Sequence, residues 1–181
     1  VAYLFGRELH TKLNVPVGII NSSFGGTPAQ AWTRREILTA DKELNQYVVK
    51  DDEIIANKDK YQKQYDDALS KWQKDSSEAK AAGKKAPKKP AMPRELFDKC
   101  RSSGLYNAMI NPLMPFAIKG VIWYQGEAND DEAILYRKLF PAMIKNWRDE
   151  WKQGDFAFYF VQLAGYGKYM KKDAAGKPDL S

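Results

Sequence analysis

The sequence predicts an α/β fold built on a parallel sheet, and three observations carry that expectation. Three short apolar runs, near 16–21, 119–124 and 156–163, are rich in β-branched and aromatic residues, the composition of buried strands. Residues 131–151, between the second and third runs, repeat apolar side chains at helical spacing. The order strand, connection, strand, helix, strand belongs to a parallel sheet with right-handed crossovers. With 181 residues, one domain with a real core is the default.

Residues 2–13 place Leu4, Phe5, Leu9 and Leu13 on one helical face; Asn14 serves as C-cap and Pro16 stops the helix. Pro16 to Asn21 reads as the first buried strand. The loop Ser22 to Pro28 contains Gly25-Gly26, two positions free of Cβ. Such a turn can point backbone N–H groups into a concave site and hold an anion or oxyanion. Pro28 to Thr33 starts a short helix or turn, where Trp32 either walls the site or packs in the core.

From about Asp41 to Trp72, residues Leu44, Tyr47, Val48, Ile54, Ile55, Tyr61, Tyr65, Ala68, Leu69 and Trp72 recur every three or four positions. The spacing predicts one long amphipathic helix, about 45 Å at 1.5 Å per residue. Ala79 to Pro93, rich in Lys, Ala and Pro, follows as an exposed connector. Residues 41–100 therefore read as an insertion into the α/β domain. Its aromatic stripe packs against the body of the domain or offers a sugar-stacking surface.

Tyr106 to Pro115 predicts a helical turn ended by prolines, in which Asn107 either holds a loop near the site or caps the turn. Val121-Ile122-Trp123-Tyr124 then changes abruptly to Gln125-Gly126-Glu127-Ala128-Asn129. A polar cluster after a buried strand is where open α/β sheets place their sites. Gln125 and Asn129 bring amide donors, Glu127 an acceptor, and Gly126 allows close approach of the backbone. The same cluster could simply cap the next helix through Asn129 or Asp130. That helix carries Ile134, Leu135, Leu139, Ala142, Met143, Trp147 and Trp151 on its apolar face.

The block Trp123 to Asn129 resembles the Gln-Gly-Glu block of the sialate O-acetylesterase family, carbohydrate esterases of the wider SGNH-hydrolase group. Pro16 to Trp32 is similar to the family's strand, Gly-Gly turn and following Trp, and Gln153-Gly154-Asp155-Phe156 to Val161-Gln162-Leu163-Ala164 fits its ending. The resemblance spans nearly the whole chain except roughly 41–100. It implies a three-layer α/β/α, flavodoxin-like parallel sheet, incomplete here as an internal segment, with a Lys-rich helical insertion at about 41–100. It also implies hydrolysis of acetyl esters on sialic acid or related sugars, such as acetylxylan, by a serine nucleophile and a histidine base.

By that resemblance Gly26, and less directly Gly25, supplies a backbone donor to the oxyanion, and Gln125 a side-chain donor. Glu127 would orient the histidine or a neighbouring donor, while Trp32, Asn129 and Asn107 would meet the substrate. The family's serine lies in a Gly-Gln-Ser-Asn-type block and its histidine in an Asp-x-x-His-type block. Neither is in this sequence, so both are expected outside Val1 to Ser181. The implied partner is an O-acetylated carbohydrate, and the implied location is secreted or periplasmic.

The net charge of +6 looks like a nucleic-acid signal. However, Lys84, Lys85, Lys88 and Lys89 form one cluster and Lys168, Lys171 and Lys172 another, without interleaved Arg or aromatics. Such clusters read as solvated surface, so no nucleic-acid partner is expected. A single cysteine, Cys100, excludes an intrachain disulfide and a cysteine-based zinc site. No apolar run reaches the roughly 18 residues of a membrane span.

His10, the only histidine, precedes the first strand and belongs at the edge away from the Gly-Gly and Gln-Gly-Glu loops. Ser22 and Ser23 are on the right edge but have no base to activate them. Glu127, Asp130, Asp131 and Glu132 are explained by a helix N-terminus, so no metal or cofactor is expected. Two rival readings remain: a carbohydrate-binding module on the same fold, and a basic interaction domain using the inserted helix.

Overall fold

A computed structural model describes residues 1–164. The lysines at 168, 171 and 172 lie outside the described residues.

Helix α1 spans Ala2–Leu13 and ends at Asn14, which adopts the left-handed conformation at φ 51° and donates its N–H to His10 O at 2.9 Å. A C-terminal residue in that conformation closes the last turn, and Asn tolerates it well. Gly6, the one buried position of α1, lies against Ile19. Residues 16–21 are the principal departure from the sequence reading. They form no strand among the described residues, and Ile19 and Ile20 are 47% and 52% exposed. An apolar composition does not make a strand by itself; a ladder partner does, and no backbone hydrogen bond of this stretch is made to another described strand.

The predicted single long helix over about 41–72 is broken in two. A 3-10 turn at Ala29–Trp32 leads to α2 (Arg35–Ala40), α3 (Asn45–Ala56) and α4 (Lys58–Ala81). The break between α3 and α4 falls at Asn57, whose amide side chain bonds back to Glu53 O at 2.8 Å. A side chain that satisfies the backbone locally competes with helix continuation. Helix α3 buries Tyr47, Val48 and Ile54, so the start of the 41–100 span is part of the core rather than an appendage. Helix α4 buries nothing. Its stripe of Tyr61, Tyr65, Leu69 and Trp72 is only half-covered, and the returning connector meets it where Trp72 Nε1 donates to Pro87 O at 2.9 Å.

After two short 3-10 turns, Tyr106–Ile110 forms a π-helical turn, and Asn111–Leu113 a 3-10 turn. The chain then enters β1 (Gly120–Trp123), crosses over through α5 (Ala133–Trp151) and returns as β2 (Ala157–Phe160). The strands are parallel, with Gly120 opposite Ala157 and Trp123 opposite Phe160. Both are shorter than the apolar runs that announced them.

Alternation along the strands divides the sheet faces. Trp123 and Phe158 turn toward α5, where Trp147 stands edge-on to Trp123 at 5.7 Å and tilted to Phe158 at 5.8 Å. Phe140 adds contacts to Phe158 and Phe160 at 5.9 and 5.2 Å. Tyr159 turns the other way and meets Phe5 of α1 at 6.3 Å. Each aromatic pair contributes about 0.5–1.5 kcal/mol beyond area burial, so the α5 face is the anchor of the fold. Leu139, Met143, Trp147 and Trp151 are buried in it; Ile134, also placed on that face by its spacing, is 86% exposed in the first turn. No helix among the described residues is long and apolar enough to cross a membrane.

Candidate functional site

Gln125 follows β1 directly, and Gly126 turns the backbone away at φ 155°. A Cβ added at Gly126 would approach Leu163 Cδ1 to 2.7 Å, so the position suits glycine on both counts. The turn leads into a 3-10 segment, Glu127–Glu132.

The Gln125 amide is tied on every side. Its Nε2 donates to Thr27 O at 3.1 Å and to Asn129 Oδ1 at 2.8 Å; its Oε1 accepts from Tyr136 Oη at 3.0 Å. Asn129, 3% exposed, also accepts from Ala29 N at 2.9 Å and donates to Gln30 Oε1 at 2.9 Å. Thr27 Oγ1 donates to Phe24 O at 2.7 Å and accepts from Trp32 Nε1 at 3.0 Å. One continuous polar network therefore joins the loop after Gly25-Gly26 to the loop after β1. In a low-dielectric setting such a network is rigid when complete and costly when broken.

Gly25 and Gly26 sit at the exposed rim of this network, with Gly26 at φ 69°, a conformation that favours glycine. Their N–H groups donate no hydrogen bond among the described residues. Their carbonyls face the turn at Asp98–Cys100, with Lys99 Nζ 3.4 Å from Gly25 O. Glu127 is exposed and lines a cleft of about 330 Å3 whose other walls include Tyr47 and Lys50 of α3 and, beyond the connector, Arg94 and Arg101. Gln125 instead faces a second hollow of about 280 Å3 with Trp123, Tyr136, Phe140 and Phe160.

Burial raises the Tyr47 hydroxyl well above the usual tyrosine range, helped by its 2.9 Å hydrogen bond to Glu132. Burial likewise raises Tyr136, with the Glu127 charge adding to it and the Trp123 indole opposing it. The half-buried pair Asp51–Arg101, 3.6 Å apart, braces the cleft wall. Among the described residues no group of three or more His, Cys, Asp or Glu is arranged to hold a metal ion.

The structure thus brings Gln125 and Asn129 beside Thr27, next to Gly26. Two of the expected substrate contacts are almost fully buried. Asn129 bridges the loops through both its amide oxygen and its amide nitrogen at the edge of both hollows, and Trp32, 3% exposed, packs edge-on to Trp123 at 5.9 Å. Asn107 is exposed on the π-helical turn and lines neither hollow. His10 Nδ1 donates to Val15 O at 2.7 Å, closing the turn after α1. Ser22 Oγ is engaged by Met109 O at 3.0 Å and Ser23 Oγ by Asn21 Oδ1 at 2.8 Å. Sequence reasoning missed Tyr136, Gln30 and Tyr47. Only Tyr136 had a signal: it lies one helical turn beyond Glu132, close behind the polar block.

Comparison with known proteins identifies the family. Residues 90–177 match the family described as carbohydrate esterase, sialic acid-specific acetylesterase. The chain is 34% identical over 189 residues to the sialate O-acetylesterase of Rattus norvegicus, covering 99% of this chain and 32% of that protein. The Mus musculus and Homo sapiens sialate O-acetylesterases are 33% and 32% identical, across 92% and 91% of this chain and 29% and 25% of their own lengths. The chain therefore spans about a third or less of these relatives, and it belongs to the sialate O-acetylesterase family of carbohydrate esterases.

Proposed function

We propose that this chain supplies the oxyanion-side loops of a carbohydrate O-acetylesterase that hydrolyses acetyl esters of sialic acid or related sugars. The nucleophilic serine and the histidine base come from outside residues 1–181. The two-stranded parallel pair, with α5 on one face and Phe5 of α1 on the other, supports a piece of a three-layer α/β/α sheet. A secreted or periplasmic setting is part of the proposal.

The observation that carries the reading is the 3.1 Å bond from Gln125 to Thr27 O, which holds the Gly25-Gly26 turn and the post-β1 loop together at one edge. Unengaged N–H groups at Gly25 and Gly26 are suited to hold the oxygen that becomes negative when an ester carbonyl is attacked. Both Gln125 N–H groups are already bonded. The glycine N–H groups are therefore the primary donors, and Gln125 contributes by sharing one N–H with the oxyanion while fixing the turn. Glu127, exposed on the cleft, is available to orient a histidine supplied from elsewhere.

The test is Gln125→Ala in the full-length protein. A donor felt mainly in the transition state lowers kcat by about 10²–10³ with KM nearly unchanged. Unchanged kcat in a folded variant removes the assignment. The competing reading, a sugar-binding module, draws on the saturated Gln125 amide; in it the variant loses melting temperature and sugar affinity, and the unmodified protein releases no acetate.

A further inference from the structure

The far end of the α4 hairpin holds a charge concentration that the esterase reading does not use. Residues 79–94 contain Lys80, Lys84, Lys85, Lys88, Lys89 and Arg94 and no Asp or Glu, so this span alone accounts for the whole net charge of +6. The rest of the chain is neutral. Along the body of α4, by contrast, lysines alternate with Asp59, Asp66, Asp67, Asp75 and Glu78.

The tip has a defined shape. Helix α4 is closed by Gly83 at φ 66°, with Gly83 N donating to Lys80 O at 3.2 Å and Lys84 N to Ala79 O at 2.8 Å. Beyond the cap, Trp72 Nε1 holds Pro87 O at 2.9 Å and Lys89 Nζ sits 5.7 Å from the Trp72 ring centroid. Pro87 and Pro90 stiffen the return. The connector is thus pinned along α4, and its five lysines are exposed with no ion pair among the described residues.

We propose that this tip is a docking surface for an acidic polysaccharide, whose repeating carboxylates lie against the lysines while the loops at the sheet edge act on the same polymer. The choice of a polyanion stands on the charge alone; the choice of a glycan rests on the esterase reading. Five of the six cations are lysine, compact point charges that neutralise spaced anions without the paired geometry a guanidinium fork imposes. Trp72, the aromatic nearest the tip, already has Nε1 bonded to Pro87 O and Lys89 Nζ over its ring. Met92 is the only large apolar side chain exposed there, too little to anchor in a bilayer.

The experiment measures binding of the full-length protein to immobilised polysialic acid, neutral dextran, double-stranded DNA and phosphatidylserine vesicles. Polysialic acid should bind, dextran should not, and the affinity should fall at least about ten-fold between about 50 and about 200 mM NaCl. Replacing the four lysines together, K84S, K85S, K88S and K89S, should weaken polysialic acid binding at least about ten-fold at low salt with the melting temperature unchanged. K42S with K145S, which keeps the tip, should bind as the unmodified protein does. No binding at low salt, undiminished binding by the four-lysine variant, or equal or tighter binding to DNA or vesicles would overturn the proposal. The readout is binding, not turnover, so an absence of acetate release would count against the esterase reading alone.

Discussion

Two hydrogen bonds of the same length hold two loops in place, in opposite surroundings. Asn129 Oδ1 accepts from Ala29 N at 2.9 Å inside a network that is 3% exposed at its centre. Trp72 Nε1 donates to Pro87 O, also at 2.9 Å, on a helix with no buried residue. The distances say the bonds are equal, but the surroundings decide their worth. When the buried bond is lost, its groups have no water to turn to, whereas the partners of the exposed one are rehydrated at once. The cleft is therefore built on the strong tie, and the hairpin on a weak one.

Replacing Asn129 tests that contrast hardest. Asn129→Ala strips partners from Ala29 N, Gln125 and Gln30 together, and should cost about 3 kcal/mol in chemical denaturation. A loss below about 1 kcal/mol would mean that water reaches the network and the contrast is false. Tyr136→Phe removes one hydroxyl from the same network, with an expected cost of about 1 kcal/mol. Combined with Gln125→Ala it should be non-additive, because each change removes the same bond; strict additivity would separate Tyr136 from the network.

A titration sharpens the comparison from another side. Burial raises Tyr47, Tyr106 and Tyr136, so the folded protein holds these protons above the pH at which the unfolded chain releases them. The contribution is fully present below about pH 10 and is lost as pH rises above it. Stability should fall on the alkaline side, and Tyr47→Phe should flatten that fall. An unchanged alkaline slope would show that the raised hydroxyl at the cleft wall does not contribute. The smallest effect belongs to the hairpin: Trp72→Ala should change global stability by under about 1 kcal/mol while making the connector easier to cleave by protease. A larger global loss would make α4 part of the core after all.

Much of this was legible in the residues, and the parts that were not share a cause. The α5 face and its two strands announced themselves because burial imposes a period on Leu139, Met143 and Trp147 and an apolar run on Val121 to Tyr124. The break at Asn57 was hidden, because α3 and α4 keep the same apolar spacing on either side of it. Residues 16–21 have strand composition, yet pairing is a property of two segments, and one segment's sequence does not contain the other.

At the site, Gln125 and Gly26 could be placed on one edge from their positions after apolar runs. The hydrogen bonds that engage Gln125 and Asn129 could not, since they come from Tyr136, Thr27, Ala29 and Gln30, brought near only by the fold. Trp32 was legible as an aromatic near the site, but which way it faced was decided by Trp123 behind it.

The parallel register of β1 and β2 has a kinetic consequence. A parallel ladder cannot be closed by a tight turn. Residues 120–123 meet 157–160 only when the chain between them, which carries α5, has swung back across the sheet. Local helix formation takes about a microsecond or less, whereas gathering distant segments carries the loop-closure cost before any contact rewards it. The segments that hold the loops at the sheet edge are thus expected to assemble late, at a pace set by the return of the chain through α5.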